Sequence, residues 1–127
     1  GEGEYGGNLY IEVELKPHPH YEIKWPNLEI ELPIKFYQAI LGDNLEIDTL
    51  KGSAFFKLDP GAEYGDTVTL RGYGLRYLDD AGNLQYGDLV IKLIMNTPKR
   101  ITKEQREILE SYKALDKTGK PRPRRTN

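Results

Sequence analysis

The sequence predicts a mainly β fold: a two-sheet, sandwich-like domain with one short internal helix and one C-terminal helix. Apolar and polar residues alternate along several short segments, as they do on strands that bury one face. Thirteen glycines, eight prolines and nine tyrosines among 127 residues favour strands joined by tight turns. Helical spacing occurs only in the segments that follow Lys35 and Pro98.

Length and residue usage restrict the chemistry open to this chain. A chain of 127 residues fits one domain with one core, which needs no disulfide or structural metal to fold. It has no Cys and only two His, which excludes thiolate zinc sites, iron–sulfur clusters and cysteine nucleophiles. We therefore expect no cofactor and no metal.

Charge and hydropathy restrict the partners. The formal net charge is −2, so no overall field attracts nucleic acid or anionic lipid. No apolar run approaches the roughly 20 residues that span a bilayer, and residues 1–8 lack the charged and apolar parts of a signal peptide. We expect neither a membrane nor a specific nucleic acid as partner, and the absence of Cys suits a cytoplasmic setting.

The N-terminal segment predicts a loop and a strand. Residues 1–8 are rich in glycine and are typical of a loop or frayed end. Residues 9–15 alternate between aliphatic and mostly charged side chains, which predicts a half-buried strand. Pro17 and Pro19 would end it, because proline donates no hydrogen bond to a neighbouring strand.

A second strand and the internal helix follow. Residues 28–34 alternate in the same way after a turn at Trp25-Pro26-Asn27. Phe36, Ala39 and Ile40 then fall at i, i+3 and i+4, which predicts one or two helical turns. Gly42 stands where such a helix would end.

The middle of the chain predicts further strands separated by turn residues. Strands are expected over 45–50, 53–58 and 67–71. Residues 75–87 read as a mobile excursion, because Asp, Gly and Asn cluster there. Residues 88–95 are almost continuously apolar, which predicts a strand near the middle of the fold.

The C-terminal segment changes character. Thr102 and Gln105 have the spacing of a capping box, which predicts a helix that runs to about Leu115. Residues 116–127 are basic and contain proline, so we expect a disordered tail. The apolar side chains of this segment lie along one side of the helix, so we expect them to be buried against another element or another molecule. They are Ile101, Ile108, Leu109, Tyr112 and Leu115.

A series of short motifs with glycine, proline and aliphatic residues runs along the chain. In chain order they are Gly7-Asn8-Leu9-Tyr10-Ile11-Glu12-Val13, His18-Pro19-His20-Tyr21, Leu32-Pro33-Ile34-Lys35-Phe36, Gln38-Ala39-Ile40-Leu41-Gly42, Ile47-Asp48-Thr49-Leu50-Lys51-Gly52, Pro60-Gly61 with Gly65, Leu70-Arg71-Gly72-Tyr73-Gly74, Gly87-Asp88-Leu89-Val90, and Thr97-Pro98 with Ile101-Thr102 and Gln105-Arg106. Each motif alone recurs by chance, but their order over about residues 6–115 is specific. This order resembles the carboxy-terminal substrate-binding region of DnaJ-type J-domain co-chaperones.

The sequence departs from the family pattern at four places. The family usually has an Arg where Ile23 stands and a glycine-containing turn where Trp25-Pro26 stands. It usually has a second Gly where Asp43 stands, and often a Pro near Arg76. These departures concern the details of loops and do not affect the resemblance to the family.

The resemblance implies a particular division of the chain. The sequence lacks the His-Pro-Asp tripeptide of a J domain, a Gly/Phe-rich linker and Cys-containing zinc repeats. We therefore expect residues 1–19 to end the first carboxy-terminal domain and 20–98 to form the second. Residues 99–115 would form the dimerisation helix and 116–127 the disordered basic tail.

The resemblance also implies a function without catalysis. Such a region binds unfolded polypeptide clients, and its full-length parent delivers them to the seventy-kilodalton heat-shock chaperone. The alternative is a purely structural spacer and dimerisation module, with client binding in the preceding domain. By comparison with the related first domain, the client-binding residues would be Ile30, Leu32, Leu45, Ile47 and Thr49. The same residues could instead fill the core, which apolar alternation predicts first.

The apolar stripe of the C-terminal helix has three interpretations. Ile101, Ile108, Leu109, Tyr112 and Leu115 could pack on their own sheet, dock on a second copy, or do both. The resemblance favours a twofold homodimer through this helix, which would join two client-binding arms.

Other patterns that could indicate chemistry have simpler explanations. His18 and His20 lack a third ligand for a metal site. The strand glutamates, which include Glu12, Glu14, Glu29 and Glu31, lie opposite aliphatic residues and are typical of a solvated face rather than an acid–base pair. Asp79-Asp80 has too few ligands for calcium, and Gly72-x-Gly74 does not open a helix. The basic tail, with Lys117, Lys120, Arg122, Arg124 and Arg125, has no interleaved aromatics, so solvation is its simplest role.

Overall fold

The computed structural model describes residues 21–124. In chain order the elements are β1 (Glu22–Lys24), β2 (Asn27–Ile34), α1 (Phe36–Leu41), β3 (Asp43–Thr49), β4 (Gly52–Leu58), β5 (Thr67–Leu70), β6 (Arg76–Leu78), β7 (Leu84–Tyr86), β8 (Leu89–Met95) and α2 (Lys103–Leu115). Contacts divide the chain into two units, Gly1–Asn96 and Thr97–Asn127. The strand predicted over residues 9–15, its terminating prolines and both histidines lie outside the described residues.

Four strands form the main sheet of the first unit, in the order β1, β2, β8, β5. β2 and β8 run parallel, with Leu28 opposite Leu89, and the other two pairs are antiparallel. On the inner face of β8, Leu89, Ile91 and Leu93 are removed from solvent. A nearly continuous apolar run suits such an interior strand. The prediction that residues 88–95 form a strand near the middle of the fold is therefore confirmed.

The β3–β4 hairpin supplies the second layer of the core. Its strands are antiparallel, with Ile47 opposite Ala54, and both side chains are buried. A third sheet consists of β6 and β7. The mainly β, sandwich-like class is confirmed. The main core cluster consists of Leu28, Ile30, Ile34, Ala39, Ile47, Leu58, Leu89, Ile91 and Leu93.

The internal helix has the bounds that the sequence predicts. α1 begins at Phe36 and ends at Leu41, and the N–H of Gly42 donates to the Gln38 carbonyl. Gly42 has a φ of 78°, and a Cβ there would lie 2.7 Å from the Leu58 carbonyl oxygen. Glycine is required at this position for both reasons. Ala39 is the buried residue of the helix.

Residues 75–87 form an ordered hairpin, so the prediction of a mobile excursion is wrong. β6 pairs with β7, and Leu78 lies opposite Leu84. The Asp79 carboxylate organises the turn by accepting the backbone N–H groups of Asn83 (2.8 Å) and Ala81 (3.0 Å). Together with the Gln85 side-chain amide, these donors hold the pKa of Asp79 below its ordinary value. Alternation between apolar and polar residues does not identify strands of only three residues. For this reason β6, β7 and β1 were not predicted from the sequence.

Backbone hydrogen bonds anchor the base of this hairpin. The N–H of Gly74 donates to Gly87 (2.8 Å), that of Gly87 to Leu75 (2.8 Å), and that of Leu75 to Pro26 (2.9 Å). A Cβ on Gly74 would lie 2.6 Å from the Asp88 nitrogen, and a Cβ on Gly87 would overlap the Pro26 carbonyl. Glycine at these two positions lets three segments of backbone cross at close range.

The second unit contains α2. The Gln105 N–H donates to Thr102 Oγ1 (3.1 Å), and the Thr102 N–H donates to Gln105 Oε1 (2.9 Å). The predicted capping box is confirmed, and the helix ends at Leu115 as expected. Residues 116–124 contain no helix or strand and are exposed. Neither of the helices described within residues 21–124 is long and apolar enough to cross a bilayer.

Candidate functional site

The five predicted client-binding residues differ in accessibility. Ile30 and Ile47 are only 7% and 8% exposed and belong to the core. Leu32, Leu45 and Thr49 are half-buried. β2 and β3 belong to different sheets, and it is the packing of their inner faces that brings Ile30 and Ile47 into one cluster.

Leu32 and Leu45 are the predicted residues best placed to contact another molecule. Both pack against the core cluster and keep part of their surface accessible. Ile30 and Ile47 are almost completely removed from solvent, so a bound peptide would contact them only if the core opened. The candidate surface is therefore smaller than the five-residue groove that the sequence predicts.

Thr49 has a local structural role in the β3–β4 turn. Its hydroxyl donates to the Gly52 carbonyl oxygen (2.6 Å) and accepts the Lys51 N–H (3.0 Å). This is the pattern by which a threonine shapes a turn. Thr49 therefore borders the candidate surface at the turn.

β3 carries Leu45 and Thr49. Within residues 21–124, β3 pairs with β4 alone, and no described strand lies along its other edge. Such an edge is a template for an added strand. Tyr21 is half-buried against the core, and its pKa is raised by burial and by the nearby Asp48 carboxylate of β3. Sequence reasoning did not single out this tyrosine, although it closes the His-Pro-His-Tyr motif.

Lys51 joins the β3–β4 turn to two other segments. Its Nζ lies 4.2 Å from the ring centroid of Tyr86 and 5.0 Å from that of Tyr73. It also donates to the Gly72 carbonyl oxygen at 3.0 Å. Sequence reasoning missed this cluster because its members come from distant parts of the chain. The contacts hold the turn next to the base of the β6–β7 hairpin.

The predicted dimerisation residues form an accessible stripe. Ile108, Leu109, Tyr112 and Leu115 of α2 are all exposed, and Ile101, just before the helix, is half-buried. No residue of α2 is buried. Across the part of the chain that the structure describes, no group of three or more His, Asp or Glu side chains is placed to hold a metal ion.

Residues 1–98 match the family described as DnaJ C terminal domain. The chain belongs to this family. It is also similar to proteins named Chaperone protein DnaJ from several organisms. The relative from Caldicellulosiruptor saccharolyticus is 37% identical over 121 residues, which cover 91% of this chain and 30% of the relative. For Burkholderia thailandensis the identity is 36% over 128 residues, covering 96% and 33%.

A third relative, from Methanothermobacter thermautotrophicus, is 34% identical over 121 residues, covering 91% of this chain and 31% of its own length. These matches are long enough to include α2. The chain spans about a third of the length of the curated relatives it matches. The DnaJ C-terminal domain family thus accounts for the order of motifs along this sequence.

Proposed function

We propose that this chain is the non-catalytic, dimerising and client-binding part of a DnaJ-type co-chaperone. In this proposal it holds unfolded polypeptide in the cytoplasm, and its full-length parent delivers the client to the seventy-kilodalton heat-shock chaperone. Family membership supports the chaperone role. The observation that carries the proposal is the exposed apolar stripe of α2, which water solvates poorly and a second copy would cover.

The stripe has the form of a self-complementary interface. Ile108, Leu109, Tyr112 and Leu115 recur at helical spacing, so they lie along one side of α2. In a twofold dimer the same patch on each chain contacts its counterpart. Two client-binding surfaces would then act on one client at a raised effective concentration.

Replacing Leu109 by Asp is expected to convert a dimer into a monomer. The new carboxylate would lie within the stripe, where dimerisation would remove it from water without a partner. Light scattering over a range of chain concentrations should give a dimer mass for the unaltered chain and a monomer mass for Leu109→Asp.

Ala114→Asp is the matched control, because it adds the same charge on the opposite side of α2. It should leave the dimer intact. A concentration-independent monomer for the unaltered chain would remove the dimer proposal, as would equal dissociation by both variants.

Client binding is proposed at Leu32 and Leu45, beside the edge of β3 along which no strand of residues 21–124 lies. Main-chain hydrogen bonds to an edge carry no sequence information, whereas a small apolar surface tolerates many side chains. This combination suits a protein that holds varied unfolded segments. Thr49 and the buried pair Ile30 and Ile47 would support the surface from the turn and from below.

Replacing Leu45 by Ser is expected to weaken the binding of an unstructured, aromatic-rich peptide by roughly fivefold, the effect of about 1 kcal/mol of lost apolar contact. Fluorescence anisotropy measures this directly. Phe55→Ser is the control, because Phe55 is 72% exposed on the outer face of the same hairpin. Equal losses for both variants would contradict a site at Leu45.

The alternative is a spacer and dimerisation module, and the burial of Ile30 and Ile47 is the observation that favours it. The two experiments separate the proposals. Dimerisation without saturable peptide binding would support the spacer, with client binding in the preceding domain.

A further inference from the structure

Three contacts converge on the ammonium group of Lys51, in the β3–β4 turn. Its Nζ lies 4.2 Å from the ring centroid of Tyr86 and 5.0 Å from that of Tyr73. It also donates to the carbonyl oxygen of Gly72 at 3.0 Å. Within residues 21–124 no carboxylate forms an ion pair with Lys51. In the described part of the chain, two π faces and one carbonyl oxygen therefore surround this charge.

The two rings are positioned by backbone that does not include Lys51. Tyr73 directly precedes Gly74. Tyr86 directly precedes Gly87, whose carbonyl accepts the Gly74 N–H at 2.8 Å. The close approach of backbone at these two glycines fixes where both tyrosine side chains begin. Rings that are held in advance lose little conformational entropy when a cation enters beside them.

The carbonyl acceptor is also held in place by the main sheet. The N–H of Gly72 donates to Asp88 Oδ1 at 3.1 Å. The backbone of Asp88 is fixed in turn, because its N–H donates to Asn27 Oδ1 (2.8 Å) and its carbonyl accepts the Leu28 N–H (2.9 Å). These bonds tie Gly72 to the beginnings of β2 and β8.

We propose that Tyr73, Tyr86 and the Gly72 carbonyl form a binding site for a primary ammonium group, and that Lys51 of the same chain fills it. An ammonium group has three N–H donors and a full positive charge, so it matches a carbonyl acceptor flanked by π faces. Filling the site holds the β3–β4 turn against the junction between the main sheet and the β6–β7 hairpin. The site itself does not depend on the proposed client binding or on the α2 stripe.

Removing the ammonium group tests whether it holds the turn. In Lys51→Ala, hydrogen exchange followed by NMR should show roughly tenfold lower protection of the amides of residues 49–52 and 72–74, since two ring contacts and one hydrogen bond are lost. Lys57→Ala is the matched control, because Lys57 is an exposed lysine on β4 of the same hairpin. It should change protection by less than about twofold. Equal protection in the two variants would overturn the proposal.

Restoring the ammonium group from solution tests whether the site binds it. Lys51→Ala removes three methylene groups and the ammonium, and propylammonium chloride supplies a molecule of the same length. It should restore protection relative to sodium chloride at equal ionic strength, whereas uncharged 1-propanol should not. Restoration by both compounds, or by neither, would refute an ammonium site.

Tyr86 variants locate the restored cation. Propylammonium should act on Lys51→Ala combined with Tyr86→Phe, which keeps the ring, and fail on Lys51→Ala combined with Tyr86→Leu, which removes it. The amides of Ala81 and Asn83, in the turn that Asp79 organises, should stay protected in both and report that the β6–β7 hairpin is folded. Equal restoration of the two double variants would contradict the assigned ring.

The consequence for client binding rests on the proposed function. The β3–β4 hairpin carries Leu45 and Thr49, so Lys51→Ala should weaken peptide binding by roughly threefold, because binding must then reorder the turn. Propylammonium should reverse this loss in the anisotropy titration. Unchanged affinity in a chain with a less protected turn would contradict the consequence. An unaltered chain that binds no peptide would refute the proposed function, while the exchange measurements would still decide the ammonium site.

Discussion

Replacing Gly87 by Ala is expected to lower the free energy of unfolding by about 3 kcal/mol or more, because overpacking at a rigid backbone crossing cannot relax through a side chain. The added Cβ would overlap the carbonyl of Pro26. Relief requires a backbone shift, which would strain the hydrogen bond from Leu75 to Pro26 and the one from Gly87 to Leu75. The base of the β6–β7 hairpin would then separate from the β1–β2 turn.

Urea denaturation followed by circular dichroism measures this effect. Gly119→Ala is the control, because a Cβ there meets no atom within 4 Å. Gly74→Ala should resemble Gly87→Ala, since its Cβ would lie 2.6 Å from the Asp88 backbone. A change below about 1 kcal/mol for Gly87→Ala, the typical size of a mutational effect, would show that the crossing is not tightly packed.

The contacts at this backbone crossing could not be predicted from the sequence. Gly72-x-Gly74 and Gly87-Asp88 could be recognised as turn residues from the sequence alone. The sequence does not show that Gly74 and Gly87 meet each other and Pro26, because their separation along the chain is large and the contacts involve backbone. Glycine in the sequence predicts a turn, but only the three-dimensional structure shows that a side chain at position 74 or 87 would clash with neighbouring backbone.

Elements with strong local patterns were predicted well. α1 and α2 have the expected bounds because helical spacing, the Thr102 capping box and Gly42 are all local signals. β2 and β8 are long enough for their patterns to be recognised. The hairpin over residues 76–86 was not predicted, because a turn organised by Asp79 and a pair of exposed leucines resembles an ordinary loop in sequence.

The candidate site illustrates a further limit. Alternation along β2 and β3 identifies which residues face inward, but it does not distinguish buried from partly accessible ones. Ile47 lies opposite Ala54 in the interior of the hairpin, whereas Leu45 keeps part of its surface exposed. The difference depends on which segments cover each position, and these segments are remote in sequence.

Replacing Ile47 by Ser is therefore expected to destabilise the fold by about 3 to 5 kcal/mol, through the lost apolar contacts and a hydroxyl placed in the core. Ile47 is 8% exposed and belongs to the core cluster with Ile30 on β2. Its loss would loosen the packing between the β3–β4 hairpin and the main sheet. Phe55→Ser, on the outer face of the same hairpin, should change stability by less than about 1 kcal/mol.

Urea denaturation and peptide anisotropy on the same samples separate the two roles proposed for Ile47. If it is a core residue, the Ile47→Ser chains that remain folded should bind peptide nearly as well as the unaltered chain, while the denaturation midpoint falls. If it contacts the client, affinity would fall while stability stays within about 1 kcal/mol, since an exposed side chain contributes little to folding. Only the first outcome agrees with a client surface confined to Leu32 and Leu45, because a core residue affects binding through the folded fraction alone.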